Sequence, residues 1–172
     1  ASGADDRDWE SKFFSPYQDI LRAIPFKTIL GNHDGNQSES ARDLEVCLDN
    51  LFMPGRWYRF NYASFAEFLF LDTTTNQPDR KPEPMHLPNG EQSNWFAAQL
   101  AKPPLPWRIV AMHHPMFTAG PNHKPFLEAA PHWFLAMRSA GVQTVFSGHE
   151  HNLQISENNE ATGNMQFIVA GA

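Results

Sequence analysis

Three times along this chain, a short apolar segment ends directly in a polar loop that carries histidine. The segments are residues 26–30 (FKTIL), 107–112 (WRIVAM) and 142–146 (VQTVF), and their loops are residues 31–34 (GNHD), 113–115 (HHP) and 147–151 (SGHEH). In open α/β sheets, ligands bind beyond the carboxyl ends of the strands. The sequence therefore predicts an α/β fold in which the three loops converge on one site.

Apolar periodicity and turn residues predict the other elements. A spacing of three and four residues predicts a helix over residues 8–23 that Pro25 ends and whose aromatic row belongs to the core. Residues 73–90 contain four prolines, which favours an irregular surface loop. Further helices are predicted over residues 38–51, 92–100 and 131–140, a hairpin over residues 57–62 and 65–71, and a last strand over residues 165–170.

Composition excludes several classes of protein. The chain has 172 residues, enough for one domain with a hydrophobic core, and no linker divides it. Its 13 basic and 19 acidic residues give a net charge of −6, which argues against a nucleic-acid partner. No apolar run is long enough for a membrane span. The single Cys47 excludes an internal disulfide bond and a cysteine-rich zinc site.

The three loops carry donors that suit a metal ion. His149 and His151 are two residues apart, so on an extended segment both imidazoles face the same side. Asn32 offers a neutral amide oxygen, and His33 is either a ligand or a general acid. Taken together, the loops favour an imidazole and oxygen site for Zn, Mn or Fe, although each loop alone is also typical of a polar turn. A serine hydrolase is disfavoured because the segment around Ser147 lacks the Gly-x-Ser-x-Gly turn.

The motifs GNHD, VAMHHP and SGHEH, in this order, resemble the calcineurin-like metallophosphoesterases, and within that group the purple acid phosphatases. The likeness covers nearly the whole chain. It implies an incomplete metallophosphoesterase β-sandwich of two mixed sheets flanked by helices, an α/β (α+β) fold. It also implies two divalent or trivalent metal ions (Fe, Zn or Mn) and hydrolysis of phosphate monoesters by a metal-bound hydroxide.

The resemblance also implies a role for individual residues. Asn32, His113 and His149 correspond to ligands of one metal ion, and His151 corresponds to a ligand of the other. His33 corresponds to a residue beside the substrate phosphate, from which it can protonate the leaving group.

Other polar residues near the motifs take lesser roles in this interpretation. His123, ten residues after His113, matches a further phosphate contact and proton donor, and a solvated loop histidine is the alternative. Asp34 is expected to orient His33. His114 is placed outside the set of ligands, and Glu150 is expected to point away from the metals. Asp72 is assigned a turn role, and His86 and His132 are assigned to the surface.

The resemblance leaves part of the family pattern unaccounted for. Two upstream motifs, an Asp at a strand end and Gly-Asp-x-x-Tyr, are missing from the sequence as given, and the chain stops within a closing Gly-Ala-Gly segment. We therefore expect residues 1–172 to be one metallophosphoesterase domain, truncated at both ends. The expected partner is a small phosphorylated substrate, and the expected location is secreted or periplasmic. Alternatives are a phosphodiesterase or nucleotide hydrolase of the same superfamily, and a metal-deficient, non-catalytic fragment.

Overall fold

The chain forms a mixed sheet with helices against it. A computed structural model describes residues 9–35, 41–74 and 86–171. The strands are β1 (Tyr58–Tyr62), β2 (Ala66–Phe70), β3 (Trp107–Ala111), β4 (Thr144–Ser147), β5 (Leu153–Ile155) and β6 (Gln166–Ala170). The helices are α1 (Ser15–Ala23), α2 (Asn32–Gly35), α3 (Ala41–Asn50), α4 (Glu91–Leu100) and α5 (Leu135–Ser139). π-Helical turns, Glu10–Phe14 and Ala130–Phe134, precede α1 and α5, and a 3₁₀ turn, Glu160–Thr162, precedes β6.

All six strands of the described residues lie in one sheet, in the order β1-β2-β3-β4-β6-β5. Strands β2, β3, β4 and β6 are mutually parallel, and β1 and β5 add antiparallel edges. This confirms the α/β class and most predicted elements. The resemblance implied a second sheet. None is found in residues 9–35, 41–74 and 86–171. Because parallel strands end at the same edge, the loops that follow β2, β3 and β4 are brought together there.

The predicted strand over residues 26–30 does not form, and the segment has no regular secondary structure. A β-prone segment forms a strand only where another strand pairs with it, and residues 26–30 pair with none of the strands in the described residues. The segment is instead fastened by the side chain of Tyr58 in β1. The Tyr58 hydroxyl donates to the Thr28 carbonyl oxygen at 2.6 Å and accepts from the Thr28 N–H at 3.1 Å.

The main core lies between one face of the sheet and helices α4 and α5. Phe96 of α4 and Met137 of α5 are fully buried in it, against Val110 and Val145 of the central strands. The buried Arg108 joins the two layers. Its guanidinium donates to Glu67 at 2.7 Å and to the carbonyl oxygens of Leu100, Lys102 and Ala140, which lie at the ends of α4 and α5.

The other face of the sheet is more open. It carries an apolar groove of about 440 Å³ lined by aromatic side chains that include Phe60, Phe68 and Phe146. The aromatic row of the first helix was assigned to the core, but only Trp9 is buried, in a small cluster with Leu30 and Cys47. Tyr17 and Ile20 are exposed, and α1 buries none of its side chains, so that part of the prediction is wrong.

Two further predictions concern the loops and the membrane. The predicted loop over residues 73–90 lies largely outside the described residues, and the predicted helix over residues 38–51 is seen from Ala41 onward. Within the described part of the chain, no helix has the length and apolar character needed to cross a membrane.

Candidate metal centre

Backbone hydrogen bonds continue beyond β3 and β4 and hold the two loops side by side. Ala111 pairs with Phe146 in the parallel register. Past the strands, the Met112 N–H donates to the Phe146 carbonyl oxygen at 2.9 Å, and the Gly148 N–H donates to the His113 carbonyl oxygen at 3.0 Å. The ladder therefore fixes His113 beside the loop that carries His149.

Asn32 reaches the same point from a tight turn. The Asp34 carboxylate accepts the Gly31 N–H at 2.9 Å, and the Asp34 N–H donates to the Gly31 carbonyl oxygen at 3.0 Å. Burial raises the pKa of Asp34. A Cβ atom at Gly31 would lie 2.9 Å from Cε1 of the His113 ring, so glycine is needed for this close approach. The turn thereby brings Asn32 against His113.

The donor atoms of Asn32, His113 and His149 form a small triangle. Asn32 Oδ1 lies 2.8 Å from His113 Nε2 and 3.2 Å from His149 Nδ1, and the two ring nitrogens are 3.2 Å apart. Ligands at about 2.1 Å from one ion, at tetrahedral or octahedral angles, lie about 3.0–3.4 Å apart. Two of the three separations lie in this range and the third, 2.8 Å, is slightly shorter, so one amide oxygen and two imidazoles need only a small adjustment to hold a Zn, Mn or Fe ion.

The imidazole rings of His113 and His149, together with the neighbouring ring of His114, form a cluster that is held in the neutral form. Burial, followed by the charges of neighbouring histidines, lowers the pKa of His113 to about 3 and the pKa of His114 to about 4. Burial also lowers the pKa of His149, with His123 the next largest cause. Since a metal binds the neutral form of the ring, these shifts keep lone pairs available for coordination at neutral pH.

The remaining candidates surround the triangle. The His123 ring centre lies 3.8 Å from that of His149 and 6.1 Å from that of His151. His33 and His151 are exposed. A cleft of about 620 Å³ is lined by Asn32, His33, His113, His123, His149 and His151. Six of the seven predicted site residues thus meet in one cleft, and the seventh, Asp34, holds the turn beneath Asn32.

The segment that carries His149 and His151 is bent, although the prediction assumed an extended chain. His149 has a left-handed backbone, with φ of 66°. The Glu150 N–H donates to the Gly148 carbonyl oxygen, and the Asn152 N–H donates to that of Glu150, both at 2.8 Å. Such a backbone is strained in a residue other than glycine, and strain of this kind is concentrated at functional sites. Both histidines still line the cleft.

Sequence reasoning placed His114 outside the set of ligands, and its ring lies beside the rings of His113 and His149. Ring nitrogens of His113, His114 and His149 all lie within 4.8 Å of one another. Thr73 Oγ1 lies 2.7 Å from His114 Nδ1 and accepts the His114 backbone N–H at 3.1 Å. The position of His114, next to His113 at the end of β3, was the available signal.

Other predictions about single residues are also settled by the geometry. Asp72 does have a turn role, because its carboxylate accepts the Thr74 N–H at 2.8 Å and binds Arg56 at 2.6 Å. The Glu150 carboxylate accepts hydrogen bonds from Asn122 and from the backbone of His123. His86 was assigned to the surface, but it is buried and packs edge-on against Phe126, with the ring centres 4.8 Å apart.

The chain is similar in sequence to several known proteins. A sequence model described as calcineurin-like phosphoesterase matches residues 3–153. Tartrate-resistant acid phosphatase type 5 of Homo sapiens is 28% identical over 95% of this chain and 55% of its own length. The Sus scrofa protein of the same name is 28% identical over 98% of this chain and 53% of its own length. The chain thus spans about half the length of the curated relatives it matches.

Solved structures show the same fold. Purple acid phosphatase PPD1 from yellow lupin seeds superposes with a TM-score of 0.67 at 16% identity, over 94% of this chain and 33% of that one. GAP50, described as the anchor in the inner membrane complex of Plasmodium, gives a TM-score of 0.62 at 22% identity, over 86% of this chain and 49% of that one.

Proposed function

Because the chain belongs to the calcineurin-like phosphoesterase family, we propose that it hydrolyses phosphate monoesters at a centre of two metal ions. The observation that carries the proposal is the triangle of Asn32, His113 and His149, whose donor atoms are 2.8–3.2 Å apart. The curated relatives are named acid phosphatases, which favours phosphate monoesters as the substrates. The expected metals are Fe, Zn or Mn, and the expected substrate is a small phosphorylated molecule.

The chain's own residues divide the work of binding metal. Asn32, His113 and His149 hold one ion with one oxygen and two neutral nitrogens. His151, on the rim of the cleft, contributes to the second ion. When bound, the ions supply Lewis acidity and lower the pKa of a coordinated water.

His33 and His123 act on the substrate rather than on the metal. Both line the cleft beside the triangle, where a phosphate group can be contacted. An alkoxide or phenoxide leaving group benefits from a proton, and histidine is the residue that most often transfers one. Asp34 positions His33 by holding the turn through its bond to the Gly31 N–H.

The first experiment compares p-nitrophenyl phosphate with bis(p-nitrophenyl) phosphate, using the longest natural form of the protein loaded with Fe and Zn or with Mn. We expect a higher kcat/KM for the monoester. A higher value for the diester would contradict the proposal and favour a phosphodiesterase. A protein that binds no metal and turns over neither ester would favour the non-catalytic alternative.

A substitution separates substrate contacts from metal ligands. His33→Ala removes an imidazole that lines the cleft outside the donor triangle. We expect it to keep both metal equivalents and to lose kcat by about 100-fold or more, since a general acid contributes roughly 10²–10⁴-fold. Metal analysis beside steady-state kinetics tests this. A variant that loses metal together with rate would make His33 a ligand instead.

Two further proposals concern the domain organisation and the location of the protein. Residues 1–172 are interpreted as one metallophosphoesterase domain, and the protein is expected to be secreted or periplasmic. Secretion of the full-length protein from its native host, measured by fractionation and immunoblotting, tests the location.

A further inference from the structure

Glu150 lies between two of the site histidines, yet its side chain serves a different part of the molecule. It is fully buried, with 0% of its surface exposed. Its Oε2 accepts the backbone N–H of His123 at 2.7 Å. Its Oε1 accepts both the backbone N–H of Asn122 at 3.3 Å and the Asn122 side-chain amide at 3.1 Å. Both carboxylate oxygens therefore act as acceptors for the loop that carries His123.

This loop, residues 118–123, is fitted closely to the segment that holds the metal ligands. A Cβ atom at Gly120 would overlap the Glu150 carboxyl group. Gln154 fastens the other end of the loop: it accepts the Ala119 N–H at 2.7 Å and donates to Thr118 Oγ1 at 3.0 Å. Of the two fastenings, only the one made by Glu150 reaches His123.

We propose that Glu150 is a positioning residue that fixes His123 over the metal centre. The hydrogen bond to the His123 backbone fixes the position of the His123 ring. The centre of that ring lies 3.8 Å from the centre of the His149 ring. A buried carboxylate is costly unless donors satisfy it, so the loop and Glu150 stabilise each other. The inference rests on the proposed function in one respect, that His123 contacts the phosphate.

The geometry separates this role from metal binding. His113 and the His149 loop are held together by the bond from the Gly148 N–H to the His113 carbonyl oxygen, which does not involve the Glu150 side chain. The donor triangle can therefore survive the loss of the carboxylate. We expect a change at Glu150 to weaken phosphate binding without removing metal.

Glu150→Gln tests this with little change in size. A glutamine has one oxygen acceptor, so either Asn122 or His123 loses its partner. In the metal-loaded protein we expect unchanged metal content, a dissociation constant for inorganic phosphate raised about 10-fold, and amide hydrogen exchange over residues 118–124 accelerated about 10-fold or more. Glu150→Asp keeps two acceptors and should restore part of the phosphate affinity. Glu160→Gln, at an exposed carboxylate, is the matched control and should change none of these quantities.

Gly120→Ala is the second variant, because it pushes the loop away from the carboxyl group without altering Glu150. It should show the same weaker phosphate binding with full metal content, and it decides the question if Glu150→Gln does not fold. The proposal is overturned if the variant that folds keeps wild-type phosphate affinity and exchange, or loses phosphate only in step with metal. If the wild-type protein binds phosphate but hydrolyses no ester, the proposed function fails, while the exchange and phosphate measurements still decide the role of Glu150.

Discussion

The two sides of the metal centre are held in different ways. On one side, His113, His114 and His149 follow parallel strands, and the bond between Gly148 and His113 extends the strand ladder into the site. On the other side, Asn32 and His33 follow a segment without regular secondary structure. That segment is held by the hydrogen bond from Tyr58 and by the contact of Gly31 with His113. The strand side depends on cooperative pairing, whereas the segment side depends on a few separate contacts. Single changes on the segment side should therefore affect the metal without touching a ligand.

The largest effect is expected when the strand side loses a ligand. His113→Ala removes the ring nitrogen that contacts both other donors, Asn32 Oδ1 and His149 Nδ1. We expect one metal equivalent to be lost and kcat/KM to fall by more than about 100-fold, since even residues that only support ligands cost 10–100-fold. Elemental analysis and phosphatase assays measure both. Full metal content with normal turnover would remove His113 from the ligand set.

A pair of glycine substitutions compares the two sides directly. At Gly31 an added Cβ atom would lie 2.9–3.1 Å from three atoms of the His113 ring, closer than carbon atoms normally pack. At Gly148 the same atom would lie 3.6 Å from that ring, an ordinary contact. We expect Gly31→Ala to weaken metal affinity about 10-fold or more, as loss of a supporting contact does, and Gly148→Ala to leave it unchanged. Zinc titration monitored by calorimetry measures both variants, and equal affinities would contradict the comparison.

A smaller effect is expected from loosening the segment at a distance. Tyr58→Phe removes both hydrogen bonds to Thr28 and keeps the stacking of the ring on Phe70. The expected loss in the free energy of unfolding is about 1–2 kcal/mol, with a modest loss of metal affinity. Tyr62→Phe is the control, because Tyr62 is exposed. Urea denaturation of the two variants should separate them, and matching curves would show that Tyr58 does not hold the segment.

The smallest effect concerns the pH dependence of the metal-free protein. The lowered pKa values of His113 and His114, about 3 and about 4, mean that the unfolded chain binds more protons below the ordinary value of 6.5. The stability contributed by the neutral rings is therefore complete above that value and is lost as the pH falls.

The corresponding experiment compares the metal-free protein with His113→Gln in EDTA. That comparison isolates the imidazole from Asp34 and Asp72, whose raised pKa values act in the opposite direction. Between about pH 7.5 and about pH 5.5, the wild type should lose more free energy of unfolding than His113→Gln does. Equal losses would mean that His113 is not buried in its neutral form.

Local pattern was enough to predict the hairpin of β1 and β2, strands β3, β4 and β6, and the helices of the core. It also predicted that the three histidine-bearing loops meet at one edge of the sheet, which holds for the loops after β3 and β4. The resemblance, and not the local pattern, implied that Asn32, His113 and His149 share one ion. The strand predicted over residues 26–30 is wrong, because apolar and β-branched residues form a strand only when another strand pairs with them, and none of the described strands pairs with this segment.

The features that could not be predicted depend on partners far away in sequence. Strand β5 has three residues, too few to show the two-residue alternation of apolar and polar side chains that predicts a strand. It forms by antiparallel pairing with β6. His114 joins the cluster through Thr73, and His86 is buried by Phe126. In the sequence, Glu150 only separates two ligand positions. Its role depends on Asn122 and His123, which the fold brings into hydrogen-bonding contact with it.

The most direct measurement is a crystal structure of the zinc-soaked protein with anomalous scattering recorded at the zinc edge. The account predicts a peak within bonding distance, about 2.0–2.3 Å, of Asn32 Oδ1, His113 Nε2 and His149 Nδ1 together. A zinc peak elsewhere, or no peak at a position that all three atoms can reach, would contradict the claim that these side chains share one ion.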